Sequence, residues 1–280
     1  MQQRPFKQID VFTPVPYLGN PLAVVMDGSG LSDEEMQHFA HWTNLSETTF
    51  LLPPTQKGAD YRVRIFTPGG ELAFAGHPTL GSCHAWLEAG GQPASGNQIV
   101  QECKAGLVQI RREASRLAFA APPLQRSAPS PALLAQVAGA LGLTAQQIVA
   151  AQMLDNGTVW LGLLLDSPQT VLALQPKHIE LKNLGYKVGV AGIQQDTPEA
   201  QLQVRGFAAP VGILEDPVTG SLNASLAQWL IEEGRMPARY VAAQGVCLGR
   251  AGRVHVERDS DKQVWVGGNS STCISGTVTL

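Results

Sequence analysis

The chain has 280 residues, 44% of them apolar, and its 23 acidic and 20 basic side chains give a formal charge of -3. That length suggests two domains, each able to bury a core, and without a run of Lys or Arg or a strongly acidic block there is no electrostatic footprint for nucleic acid or a membrane surface. Residues 1–10 lack a charged start followed by an apolar core, and no apolar run approaches the roughly 18 residues of a membrane span, so a cytoplasmic protein with a small-molecule partner is expected.

Residues 9–12 read as a strand and residues 17–21 as a turn into a second strand over 22–26. Asn20 can close that turn or put an amide into a site, and turn chemistry favours the first. Ser32-Asp33-Glu34-Glu35 is a capping box that opens a helix with Met36, Phe39 and Ala40 on its inner face, ending by Asn44. His38 and His41 on that helix read as surface or packing residues. Glu47 heads the next strand, rich in Thr and apolar residues. There it is either a solvated carboxylate or, if partly buried, one whose raised pKa suits an acid or base near neutrality. A strand over 61–67, a turn at Pro68-Gly69-Gly70 and the loop Gly76-His77-Pro78 lead into a helix over 79–88. His77 fits a structural role, or that of an acid, a base or a hydrogen-bond donor. A hairpin over 108–119 turns near Ala114-Ser115.

Residues 122–132, with four prolines and two serines, read as a linker whose end doubles as a helix start, Ser130 capping residues 131–141. Residues 144–151 begin like another helix. A strand over 158–165 follows the Asn156-Gly157 turn, and a short helix over 177–184 feeds a strand over 187–193. An apolar strand then ends at Leu214, and the loop Glu215-Asp216-Pro217-Val218-Thr219-Gly220 leads to a helix opening at Ser221. Leu222, Leu226, Trp229 and Leu230 form its apolar face, and it closes at Gly234. A loop of this kind aims free backbone N–H groups and the positive end of the helix dipole at one point, a geometry that holds a carboxylate or phosphate. It places Asp216 and Ser221 beside that point. A hairpin over 254–266, turning near Ser260-Asp261, and a last strand over 275–280 complete the chain.

The two stretches match one another. Val63-Arg64-Ile65-Phe66 corresponds to Val204-Arg205-Gly206-Phe207, and His77-Pro78-Thr79-Leu80-Gly81-Ser82 falls opposite Asp216-Pro217-Val218-Thr219-Gly220-Ser221. The helix ends and the later hairpins also correspond. A repeat near half the chain length means duplicated halves. Cys83, Cys103, Cys247 and Cys273 are too scattered for a disulfide framework or a zinc site. Cys83 stands apart only because a helix dipole near it could lower its pKa. No G-x-G-x-x-G follows a strand and no G-x-x-x-x-G-K-[ST] is present, so no nucleotide cradle is expected. Ser221 lacks the G-x-S-x-G elbow of a hydrolase.

Gly19-Asn20-Pro21-Leu22-Ala23-Val24-Val25, Leu45-Ser46-Glu47-Thr48-Thr49-Phe50, Phe66-Thr67-Pro68 with Glu71, Gly76-His77-Pro78-Thr79, Glu215-Asp216-Pro217-Val218-Thr219-Gly220-Ser221, and Gln244-Gly245 with Gly249-Arg250 resemble, in this order, the motifs of the PhzF-like (phenazine biosynthesis-like) family. The resemblance spans nearly the whole chain. It implies an α+β fold of the diaminopimelate epimerase type: two pseudo-symmetric halves, each a mixed β-sheet wrapped around a central α-helix, with the site in the cleft between. The halves would be residues 1–122, with a returning strand at about 270–280, and residues 123–269. The resemblance further implies a homodimer and a cofactor-independent isomerase of a small carboxylate. In that reading Glu47 moves the proton, His77 and Asp216 share its proton network, and Asn20, Gly76, Gly220 and Ser221 contact the substrate, with no metal and no cofactor. The racemases of this fold use two thiols at the facing helix starts, and neither Gly76-His77 nor Asp216-Pro217 supplies one. A protein that keeps the fold and binds a small carboxylate without acting on it is the alternative.

Overall fold

Many of the apolar runs bounded by turn residues become strands in the computed structural model, which describes residues 1–194 and 197–280. The chain divides into two compact units, Met1–Ala120 with Gly267–Leu280, and Ala121–Val266.

In the first unit β1 (Gln3–Val11) pairs antiparallel with β2 (Asn20–Val25), and β2 runs parallel to β3 (Thr48–Leu52). A parallel pair needs a crossover, and here it is α1 (Asp33–Thr43). The capping box forms as read, Ser32 Oγ accepting from the Glu35 N–H while Glu35 reaches back, and Asn44 ends the helix in the left-handed region. β3 is antiparallel to β4 (Tyr61–Thr67), which carries the short β5 (Gly70–Leu72) and runs parallel to β6 (Gln98–Cys103). The crossover this time is α2 (Gly76–Glu88). β7 (Gly106–Glu113) and β8 (Arg116–Ala120) complete the run as antiparallel hairpins.

α2 is the central helix of this unit, buried from Gly76 to Cys83. A helix buried this far can lie close to the sheet only if its residues are small. At Gly81 a Cβ would stand 2.6 Å from Leu22 Cδ2, so any larger residue would push the helix off β2. Under α1, Val25, Met36, Ala40, Phe50 and Phe66 form an apolar cluster in which the Phe50 and Phe66 rings meet edge to face at 5.6 Å.

The second unit repeats this connectivity. β9 (Gln125–Ser127) and α3 (Pro131–Leu141) precede β10 (Ile148–Asp155), which is antiparallel to β11 (Val159–Leu165). β11 is parallel to β12 (Lys187–Ile193), with α4 (Pro168–Ala173) and α5 (His178–Leu184) between them. β12 is antiparallel to β13 (Leu202–Ala208), which carries β14 (Ile213–Asp216) and runs parallel to β15 (Arg239–Gln244) across α6 (Gly220–Glu232). β16 (Gly252–Arg258) pairs with β15, and β17 (Val264–Gly268) follows. The last strand, β18 (Ser270–Thr279), returns to the first unit and pairs antiparallel with β1 along its whole length. The fold is therefore α+β, a mixed sheet around a central helix in each unit. Among the described residues no helix is long and apolar enough to cross a membrane.

The matched Val-Arg-x-Phe segments lie on β4 and β13, and their arginines do the same job. Arg64 donates from Nε to Glu71 at 2.7 Å and its guanidinium lies 5.0 Å from the Phe66 ring centre; Arg205 binds both oxygens of Glu215, at 2.9 and 2.8 Å, and lies 5.1 Å from Phe207.

Three expectations give way. The stretch read as a linker contains β9, which pairs with Met153–Asp155 and is anchored by Arg126 to Glu233 at 3.0 Å. Its prolines leave Gln125–Ser127 free to form an edge strand. Residues 144–151 start with a real capping box between Thr144 and Gln147, but the helix lasts one 3-10 turn (Ala145–Gln147). From Ile148 the chain gains more by pairing with β11 and burying Leu154 than by continuing a helix. Gly76 and His77, read as loop, form the first turn of α2, and α6 opens at Gly220 instead of Ser221.

Residues 53–56, after β3, are held by Glu102 on β6. Its buried carboxylate accepts from the N–H groups of Thr55 and Gln56, at 2.6 and 2.9 Å, and from the Thr55 hydroxyl. Burial by itself would raise its pKa, but these donors, with Arg62, outweigh it and hold the carboxyl below the usual range. A depressed folded-state pKa means that the stabilisation is complete above the unfolded value, about 4.3, and is lost as pH falls through the folded one. Glu102→Gln should therefore lower stability at neutral pH and show a shallower loss of Tm on acidification below about pH 4 than the unsubstituted protein. Parallel acid limbs for the two proteins would refute the assignment.

Candidate active site

The chemistry-bearing residues of the first unit gather at the start of α2. Ala75 is in the N-cap position and offers no side-chain cap, Pro78 has no N–H, and the Thr79 N–H bonds back to the Ala75 carbonyl at 3.2 Å. The Gly76 N–H group is thus left without an intrahelical acceptor, at the positive end of the helix dipole. His77 is only 4% exposed, and its Nε2 lies 3.5 Å from Glu47 Oε2 on the residue just before β3. That contact is longer and less well aligned than a full hydrogen bond, as catalytic contacts often are before substrate binds. On the other side of the ring, His77 Nδ1 meets the Asn20 amide at 3.5 Å, and the Ser46 hydroxyl donates to Asn20 Oδ1 at 3.3 Å. Asn20, fully buried as the first residue of β2, does more than close a turn.

The reason these groups meet is topological. β2 and β3 are parallel neighbours, so the start of β2 and the approach to β3 lie at the same sheet edge, and α2 packs against both strands. Ser82 on the helix donates to Thr49 Oγ1 at 2.9 Å, and Thr49 in turn donates to the Ala23 carbonyl of β2 at 3.4 Å. These bonds, with the close approach at Gly81, set the height at which His77 faces Glu47 and Asn20.

Cys83 lies in the same helix, and its environment reverses the expected dipole effect. The thiol is fully buried beside Tyr61, and burial pushes its pKa up to about 12. It is a small core residue, not a thiolate.

The second unit places Asp216, Gly220 and Ser221 along one loop and helix start. Asp216, at the end of β14, accepts from the Thr219 hydroxyl at 2.7 Å. Gln244, the last residue of β15, ties the loop down. Its Nε2 donates to the Asp216 carbonyl and to Thr219 Oγ1, at 3.0 and 2.9 Å, and its Oε1 accepts from the Thr219 N–H and from Asn223 Nδ2, at 3.0 and 2.9 Å. The next residue, Gly245, has φ +101°, and a Cβ there would stand 2.6 Å from the Pro217 carbonyl oxygen, so the strand end can lie under the loop only with glycine at this position. Thr219 provides no side-chain cap for α6, which leaves the first-turn N–H groups from Gly220 onward without an intrahelical acceptor. Ser221 is engaged by the β10–β11 hairpin: its hydroxyl accepts from Trp160 Nε1 at 3.1 Å and its carbonyl from Asn156 Nδ2 at 3.1 Å.

Ser46, Thr219, Asn223 and Gln244 carry much of this geometry, and sequence reasoning gave none of them a role. Thr219 had a local signal, a hydroxyl three residues after an aspartate in a turn. Gln244 stood only in the family motif Gln244-Gly245 and had no local signal of its role, because its partners lie more than 20 residues away.

The sequence profile of the phenazine biosynthesis-like proteins matches residues 9–276. Antisense-enhancing sequence 1 of Schizosaccharomyces pombe is 37% identical over 292 residues, covering 99% of both chains. A trans-2,3-dihydro-3-hydroxyanthranilate isomerase of Pseudomonas aeruginosa is 32% identical over 287 residues, 97% of this chain and 98% of its own. Among solved structures, a Bacillus anthracis phenazine biosynthesis protein of the PhzF family superposes with a TM-score of 0.86 over all of both chains at 24% identity.

Proposed function

The chain belongs to the phenazine biosynthesis-like family, and from that premise we propose that it is a cofactor-independent isomerase of a small carboxylate, with Glu47 as the group that moves the proton. The observation that carries this reading is the pairing of a largely buried carboxylate with His77 at the uncapped start of α2. Backbone N–H groups at a helix start stabilise a bound anion without moving, because the fold has already oriented them.

The step is a carbon acid losing its proton. Glu47 takes a proton from carbon and becomes a carboxylic acid, and the electron pair of the broken C–H bond delocalises into the conjugated part of the substrate. The acid, whose proton exchanges with solvent in part of the turnovers, then protonates a second carbon, and Glu47 is a carboxylate again. Atoms and charge balance, and one base serves both transfers because it stays beside the substrate throughout. Asp216, Gly220 and Ser221 are proposed as further substrate contacts. A compound of the 2,3-dihydro-3-hydroxyanthranilate type, the substrate in the name of the Pseudomonas relative, has both the carboxylate and the acidic C–H that this chemistry needs.

The test is incubation with a panel of small carboxylates, that compound included, in deuterated water, with NMR detection of deuterium at carbon. Incorporation with isomerised product is expected. Tight binding of a panel member without any exchange would indicate a binding protein, and loss of exchange on adding a chelator would replace the proposed mechanism.

A further inference from the structure

The Ser46–Asn20–His77–Glu47 chain of contacts carries information about where one proton sits. An asparagine amide between a hydroxyl and an imidazole can be satisfied in two ways. In one, Nδ2 donates to His77 Nδ1 and the Ser46 hydroxyl donates to Oδ1. In the other, the amide is flipped, His77 carries its proton on Nδ1 and gives it to Oδ1, and Nδ2 donates to Ser46. Hydroxyls donate and accept equally well, so Ser46 does not choose between them.

The choice is made at the far end of the ring. Glu47 Oε2 stands 3.5 Å from His77 Nε2, and a carboxylate there requires a donor. A neutral imidazole with Nε2–H has a bare Nδ1, which requires a donor from Asn20. That in turn points Oδ1 at the Ser46 hydroxyl, the arrangement seen, with contacts of 3.5 and 3.3 Å. Asn20 is fully buried and His77 nearly so, hence water is not available to satisfy a mismatched alternative.

We propose that Asn20 is a positioning residue that holds His77 as the neutral Nε2–H tautomer, donating to Glu47. This rests on the reading of Glu47 as the base and adds how that base is kept ready. Nε2–H steadies Glu47 as a carboxylate before the reaction and orients it toward the substrate. A histidine protonated on Nδ1 would instead present a lone pair to Glu47 and repel it.

The tautomer can be read directly, without substrate, from the nitrogen NMR spectrum of the full chain labelled with [15N]histidine. The protein has six histidines, and the His77 signals are assigned as those lost in His77→Gln. The expected result is a pyridine-type Nδ1 and a pyrrole-type Nε2 at neutral pH. Asn20→Asp presents only acceptors to Nδ1 and should move a proton onto it, while proton exchange on the substrate falls about 10²-fold, the scale of a general acid-base contribution. Ser46→Ala removes a group that suits either amide orientation and should leave the tautomer unchanged. A protonated Nδ1 in the unsubstituted protein overturns the proposal, whatever the variants do, and so does an Asn20→Asp spectrum identical to it. A Ser46→Ala spectrum shifted to a protonated Nδ1 would contradict the assignment of the choice to Glu47. Normal turnover in Glu47→Gln would reject the base while leaving the tautomer result standing, so the two readings fail separately.

Discussion

Glu47→Gln should reduce turnover by about 10² to 10⁴-fold, the range typical of a general acid-base group, with substrate binding largely kept. Glutamine has nearly the same shape and still offers an acceptor to His77 Nε2, so the contact at the start of α2 survives while the basic oxygen pair is gone. Because binding is assigned to backbone N–H groups and other side chains, the loss belongs in kcat, with KM close to unchanged. A uniform rise in KM would place Glu47 among the binding groups instead. The measurement is deuterium incorporation at carbon alongside product formation, with thermal unfolding recorded to show that the variant is folded. Near-normal exchange in a folded variant would end the proposal that Glu47 moves the proton.

The second large effect is on stability and lies in the ion pair between β13 and β14. Glu215→Ala should destabilise the protein by about 3 to 5 kcal/mol, the usual result of removing one partner from a buried ion pair. The Arg205 and Glu215 side chains are 6% and 8% exposed. Four donor contacts surround the guanidinium: two to the Glu215 oxygens, and two from Nη1 to the carbonyls of Val171 and Leu174, at 3.2 and 2.9 Å. Removing the carboxylate leaves a cation in the interior with only carbonyls for company, and the lost pairing is much more costly there than in water. The corresponding change in the first unit, Glu71→Ala, should cost clearly less. Arg64 and Glu71 are 15% and 17% exposed, Asp33 also pairs with Arg64, and water can take over part of the solvation. Denaturant unfolding of both variants checks the pair of expectations, and equal losses would contradict the argument from burial.

The glutamate at 215 also shows why the repeat was legible in the sequence. A duplicated fold keeps the residues whose partners are local, and both Val-Arg-x-Phe segments pair their arginine within about ten residues along a hairpin. The apolar runs, the Ser32 capping box, the left-handed Asn44 and the two helix-start loops are of the same kind, local patterns with local physical causes. From these the duplicated strand-loop-helix units and the residues at the helix starts could be read directly, while the α+β class was implied by the family resemblance. Glu47 and His77 were candidates on residue type and position.

Tertiary structure decided what depended on distant partners. Residues 144–151 carry a true helix start, yet pairing with β11 overrides it, because a strand edge in a sheet offers burial that one more helical turn does not. Prolines 122–131 read as punctuation, and only β10 revealed a strand among them. Asn20 read as a turn residue because its histidine and serine partners are 57 and 26 residues away, and Gln244 had a place in a family motif but no role because the loop it holds precedes it by a whole helix. Cys83 lies in the helix whose dipole could have activated it, and burial beside Tyr61 determined the opposite. A sequence states which groups are present and which face of a local element they occupy; which of them share a dry environment is fixed by the sheet register and by how closely a glycine lets a helix approach.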